Sequence, residues 1–251
     1  MTTTPATKRK YTFDEYLALE RTDGVRYEYW DGEVVAMAGA TKRHNTIVQN
    51  LAFALRSIGR SRKCRTYSEN VRQKLRTGDR YVYPDVIYTC NADDLADDLG
   101  LYVNNPCLLI EVLSDSTGDE DDQQKRLQYF KLPSLQYYML VSQQGYRVYV
   151  FERAVDFWKY RVYEGATTEI PLPLIDLSLS MAAIYEDVVI EETEERHYTY
   201  TTSYRFPGRL RTYPRNSRLS SSDANVLIES CDCQLSSSMC RPGFWRSIET
   251  T

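Results

Sequence analysis

The run Leu108-Leu109-Ile110-Glu111-Val112-Leu113, set between Pro106 and Ser114, constrains the fold more than any other feature of this chain. Apolar side chains at successive positions need cover on both faces, so the run reads as a strand in the middle of a sheet. Glu111 inside it is costly unless it is paired or holds a cation. The chain must therefore build a sheet with layers on both sides and bring a partner to one carboxylate.

The flanking sequence supplies those layers. Residues 12–20 read as a short helix, because Thr12 and Glu15 form a T-x-x-E capping box. Residues 25–30 and 33–37 are β-rich and flank Asp31-Gly32, a dipeptide suited to a type I′ hairpin turn. Glu28 and Glu33 lie on the two arms. Residues 41–60 carry a helical period in Ile47, Leu51, Ala54, Leu55 and Ile58. Residues 64–75 and 81–90 read as strands joined by a turn at Thr77-Gly78-Asp79, followed by an acidic loop or short helix over 91–98. Residues 120–132 form an amphipathic helix stopped by Pro133; 136–142 and 146–152 form a hairpin. Residues 157–163 add a strand and 174–187 a closing segment. The expected fold class is α/β, a mixed sheet flanked by helices, within residues 11–190.

The bulk numbers exclude several classes. With 42% hydrophobic and 26% charged residues, wholesale disorder is not expected. No apolar stretch approaches the roughly 20 residues that span a bilayer, so no membrane partner is expected. Residues 1–10 read as a flexible, polar N-terminus without a secretory core, and the expected location is the cytoplasm. Cys64, Cys90 and Cys107 are accordingly read as reduced, half-buried thiols. The net charge of −4 gives no global field for nucleic acid, although a local basic patch could still serve. Walker A, H-E-x-x-H, G-x-S-x-G and dinucleotide glycine patterns are all missing.

The chemistry concentrates on two acids. Asp85 follows Pro84 on one strand and Glu111 lies on the next confident one. Two carboxylates on adjacent strands can converge on Mg²⁺ or Mn²⁺, which takes hard oxygen ligands and keeps several waters. Such an ion activates water and polarises phosphate, the requirements of phosphodiester hydrolysis. Lys125, on the helix after the Glu111 strand, could reach back over the site and stabilise developing negative charge. His44 could cap the helix that begins near Thr41 or contact substrate.

Several stretches, in order, carry a resemblance: Tyr27-Glu28 through Asp31-Gly32-Glu33; Met37-Ala38-Gly39-Ala40 with His44; Tyr83-Pro84-Asp85-Val86; Glu111 through Thr117; Asp121 through Lys125 to Tyr129; and Leu132 through Gln136. Together they resemble the Uma2 (DUF820-like) family of the PD-(D/E)XK nuclease superfamily over roughly residues 11–189. The resemblance implies a restriction-endonuclease-like fold and a metal-dependent endonuclease acting on DNA, with Asp85 and Glu111 as metal ligands and Lys125 as the displaced catalytic lysine. It adds Glu33, and less strongly Glu28, as a third acid. Leu113 stands where the superfamily usually has its lysine, as is usual in this family. Asp121-Asp122-Gln123 departs from the family's common Asp-Arg-Gly. That departure motivates a rival reading, a catalytically inactive module that binds nucleic acid or a partner. A homodimer would suit cleavage of both strands.

After residue 190 the composition shifts to Ser, Thr and Arg, and residues 191–251 are expected to be a disordered extension. Arg205, Arg209, Arg211, Arg215 and Arg218 offer the alternative of a basic arm. Cys231, Cys233 and Cys240 lack the spacing and fourth ligand of a zinc site.

Overall fold

The computed structural model describes residues 9–113, 119–190 and 201–205. Most of the N-terminal segment, residues 114–118, the tail cysteines and most of the basic arm lie outside the described residues.

Helix α1 (Phe13–Asp23) begins at the capping box: the Glu15 N–H donates to the Thr12 hydroxyl, and the Thr12 N–H donates to the Glu15 carboxylate. Strands β1 (Tyr27–Trp30) and β2 (Glu33–Ala36) form the Asp-Gly hairpin. Both turn residues have positive φ, 49° at Asp31 and 97° at Gly32, which is why glycine suits the second position. Helix α2 (Lys42–Gly59) buries Ile47, Val48, Leu51 and Leu55 along one stripe. The chain continues through β3 (Arg65–Ser68), β4 (Arg72–Lys74), β5 (Arg80–Val82), β6 (Val86–Thr89), α3 (Ala92–Ala96), β7 (Tyr102–Val103) and β8 (Leu108–Val112). Then follow α4 (Asp119–Tyr129), β9 (Tyr137–Val141), β10 (Arg147–Arg153), β11 (Phe157–Glu164), β12 (Glu169–Leu172), β13 (Leu177–Ser180), α5 (Met181–Ile184) and β14 (Thr201–Arg205).

The large sheet runs β14-β11-β10-β9-β8-β6-β3, with β8 in its interior and all five of its residues buried, as the apolar run requires. The β8–β9 pair is parallel, with α4 in the crossover between them; β8 pairs antiparallel with β6. Alternation splits the core. Leu108, Ile110 and Val112 pack with α2, β12, β13 and α5 on one face. Leu109, Tyr138, Phe151 and Trp158 pack with Tyr129 of α4 and with Phe130 just after it on the other. A smaller sheet, β2-β1-β5-β4-β7, lies beside α4 through Leu75, Val82 and Val103. Its other face, with Tyr29 and Tyr81, receives Tyr16 of α1. Mixed sheets flanked by helices are thus present.

Two expectations change. Residues 64–75 and 81–90 are not single strands: the chain breaks at Glu69, whose φ is 59°, and again over 83–85, so that β3 and β6 join the large sheet and β4 and β5 the small one. Cys64 and Cys90 are not free thiols but a disulfide. The register Arg65↔Thr89 in the β3–β6 pair brings the flanking cysteines opposite each other, with 4.2 Å between their Cα atoms. That proximity comes from strand pairing across 26 residues and has no local signature. Cys107 is a free, half-buried thiol whose pKa burial pushes up to about 11. Strand β14 extends the large sheet by pairing with β11.

Candidate active site

The β6–β8 register sets the site. Val86 pairs with Ile110, so Asp85, one residue before β6, stands beside Glu111 on β8. Both lie on the α4 face of the sheet, since Val86 and Ile110 face α2. The Asp85 N–H donates weakly to Glu111 Oε2 (3.4 Å), while Asp85 Oδ2 accepts from the Val112 N–H (2.7 Å). These exchanges knit the ends of the two strands together.

Each acid has a side-chain partner. Tyr129, fully buried on α4, donates its hydroxyl to Glu111 Oε1 at 2.8 Å. His44 Nε2 lies 3.2 Å from Asp85 Oδ2. Burial pulls the His44 pKa down, but the hydrogen bond and charge of Asp85, with the charge of Glu69, outweigh it and leave it above its ordinary value. The backbone N–H of His44 is held by the Thr41 hydroxyl, the N-cap of α2. The helix cap and the Asp85 contact therefore use different parts of the same residue.

Glu111 is 9% exposed. Burial raises its pKa to about 8; Lys125 and the Tyr129 hydrogen bond oppose that rise, and the charges of Asp85 and Glu28 add to it. Lys125 sits one helical turn before Tyr129, on the same side of α4. Its Nζ is 2.5 Å from Glu28 Oε1, and the Trp30 indole N–H donates to Glu28 Oε2 at 3.2 Å. The hairpin thus delivers Glu28 to Lys125. Glu33, on the other arm, is exposed and lines a cavity bordered also by Glu28 and Lys125.

Glu69 belongs to the same neighbourhood. Its N–H donates to the Asp85 carbonyl (3.1 Å), and Asn45, next to His44, donates to Glu69 Oε1 (2.9 Å). Neither Tyr129 nor Glu69 stands out as a site residue from sequence. The available signal for Tyr129 was its four-residue spacing from Lys125; for Glu69 there was none. Among the described residues no three His, Cys, Asp or Glu side chains are grouped to hold a metal ion. The Asp85–Glu111 pair fits a cation that completes its shell with water and substrate, as Mg²⁺ does.

The Uma2 family, described as "Putative restriction endonuclease", matches residues 13–182. This chain belongs to the Uma2 family. Two Synechocystis sp. (strain ATCC 27184 / PCC 6803 / Kazusa) proteins are similar over most of their length. "Uncharacterized protein sll1609" is 32% identical over 166 residues, 66% of this chain and 94% of that protein. "Uncharacterized protein slr1290" is 30% identical over 177 residues, 70% and 92% respectively. The fold is similar to the crystal structure of a "putative nuclease belonging to DUF820" from Anabaena variabilis ATCC 29413. That likeness has a TM-score of 0.58 at 20% identity, covering 71% of this chain and 99% of that one. Uma2 membership points to a nuclease, and the likeness to the solved structure shows the fold. Within the Uma2 region, no described helix is long and apolar enough to cross a membrane.

Proposed function

We propose that this Uma2 chain is a Mg²⁺- or Mn²⁺-dependent endonuclease that hydrolyses DNA phosphodiester bonds. The observation that carries this reading is the pair Asp85–Glu111 on adjacent strand ends, with the charge of Lys125 opposing the rise that burial imposes on the Glu111 pKa. A bound cation would lower the pKa of a coordinated water and neutralise charge on the phosphate. Asp85 and Glu111 would supply the hard oxygens that hold it. His44 orients Asp85 through Nε2, and Tyr129 orients Glu111 through its hydroxyl. Glu28 steers Lys125, whose ammonium stabilises the negative charge on the phosphoryl oxygens in the transition state. Glu33 assists at the outer rim, through water. Water attacks phosphorus directly and expels the leaving oxygen, with no covalent enzyme intermediate. A homodimer would let two such sites address both strands of a duplex.

The test is plasmid nicking with Mg²⁺ and with Mn²⁺. Native chain should cut, and Glu111→Gln should lose at least about 100-fold in rate, the scale of removing one essential electrostatic group. Plasmid and single-stranded DNA both left intact by folded native protein with either cation would overturn the proposal.

The Lys125–Glu28 ion pair supports a second reading, in which the lysine is spent on structure and the fold only binds nucleic acid or a partner. That reading expects DNA binding that survives Glu111→Gln and no metal-dependent thermal shift. A Mg²⁺-dependent rise in Tm that disappears in Glu111→Gln would count against it.

A further inference from the structure

The small sheet has one face that serves the core only in part. The registers Glu28↔Val35, Trp30↔Glu33 and Trp30↔Arg80 bring these five side chains to the same side of β1, β2 and β5. The opposite side, with Tyr29 and Tyr81, is filled by α1. Across from the first side, α4 brings Gln124 and Lys125, and an open cavity of about 250 Å³ lies between.

The lining chooses among ligands. Trp30 is half-buried, Val35 is 51% exposed and Gln124 is exposed, so apolar surface and a carboxamide face the space together. Among the described residues its charged groups are three carboxylates, Glu28, Asp31 and Glu33, and two cations, Arg80 and Lys125. Glu28 is paired with Lys125, and Asp31 accepts from Arg80 Nε at 2.6 Å. With carboxylates in the majority among these described groups, the lining favours hydrogen-bond donors over a bare phosphate. It accepts a neutral flat group that offers N–H donors at its edge and a π-face to an indole, which describes a nucleobase. The Arg80 guanidinium carbon already lies 5.7 Å over the Trp30 ring, so a planar cation borders the same space. Lys125 belongs both to this lining and to the electrostatic surroundings of Glu111. A base in the cavity would therefore belong to a nucleotide next to the phosphate under attack.

We propose that the cavity between the Trp30–Val35 face and α4 is a nucleobase subsite that takes the unpaired or splayed-out base beside the scissile phosphate. This rests on the nuclease reading for its placement and extends it to a substrate class: DNA whose bases are unstacked, in preference to intact duplex. Extruding a base from a duplex opposes binding, whereas a single strand or a mismatch has less to lose.

The experiment compares two polymers of equal charge by fluorescence anisotropy in Ca²⁺, using the full chain. One is a labelled single-stranded 20-mer; the other has the same length with tetrahydrofuran in place of every base. The intact strand should bind at least about fivefold more tightly, within the range of one stacked base. Trp30→Ala should erase that difference, and so should Val35→Glu, which alters an exposed position that folding does not need. Equal binding of the two polymers, or a preference that survives both variants, overturns the subsite. Cleavage in Mg²⁺ is read in parallel. Cleavage without base preference removes the subsite alone, base preference without cleavage removes the nuclease reading alone, and no binding of either polymer removes both.

Discussion

Glu111 is pulled two ways. The strand that carries it is stable because it is buried, and burial holds the carboxyl protonated up to about pH 8 in the metal-free protein. Its folded-state pKa is raised above the unfolded value, so its stabilising contribution is full below about pH 4.5 and is lost as pH climbs through about 8. Metal-free native protein should therefore lose stability relative to Glu111→Gln between pH 5 and pH 9, with a slope of at most about 1.4 kcal/mol per pH unit. Urea denaturation of both proteins at several pH values measures this, and parallel curves would refute it. Tyr129 works in the other direction, since its hydroxyl favours the charged form. Tyr129→Phe should raise the Glu111 pKa further and weaken Mg²⁺ binding near neutral pH by about tenfold or more, the scale of one hydrogen bond to a charged group. Raising the pH should restore most of the affinity, which titration calorimetry would read.

At the scale of elements, α1 is pinned to β4 by a buried polar knot. Arg72 is 9% exposed and pairs with Glu20 of α1; its Nε donates to the Tyr16 hydroxyl at 2.7 Å, and the Tyr83 hydroxyl donates to Glu20 at 2.9 Å. Tyr83 is two residues before Asp85, so the knot ties α1 to the strand end that carries the site. Breaking one side leaves a buried charge without its counterpart, a loss of about 3–5 kcal/mol. Arg72→Met or Glu20→Leu alone should cost that much in urea unfolding, whereas the double replacement should recover most of it. Equal costs that simply add would show that the two side chains do not act together. The capping box and the Asp-Gly turn, by contrast, act within a few residues and were readable as such.

At the scale of the molecule, the Cys64–Cys90 disulfide closes a loop across a sequence separation of 26 and joins β3 to β6 at the end away from Asp85. Loop-closure entropy gives it a stabilising contribution of about 3–4 kcal/mol. A thiol reductant, or the double replacement of Cys64 and Cys90 by serine, should lower Tm by roughly 6–16 °C in a domain of this size. The same treatment should leave cleavage below the new Tm nearly intact, because Asp85 and Glu111 are held by other bonds. A thermal scan and a nicking assay on the same samples distinguish these effects.

What the sequence determined by itself is what short-range chemistry dictates. The Thr12–Glu15 cap, the positive-φ turn at Asp31-Gly32, the apolar stripe of α2 and the buried run of β8 each depend on neighbours within a turn or a pleat. An acid inside that run marked Glu111 as a residue in need of a partner. Only the tertiary structure decided who the partners are. Tyr129 meets Glu111, Glu28 meets Lys125, and Cys64 meets Cys90 because strand register and the seating of α4 bring distant residues together. The break at Glu69 follows from the same cause: β3 and β4 are claimed by different sheets, a competition decided by partners far along the chain. Side-chain pattern specifies which face of an element is buried, but which surface covers that face depends on packing of the whole chain.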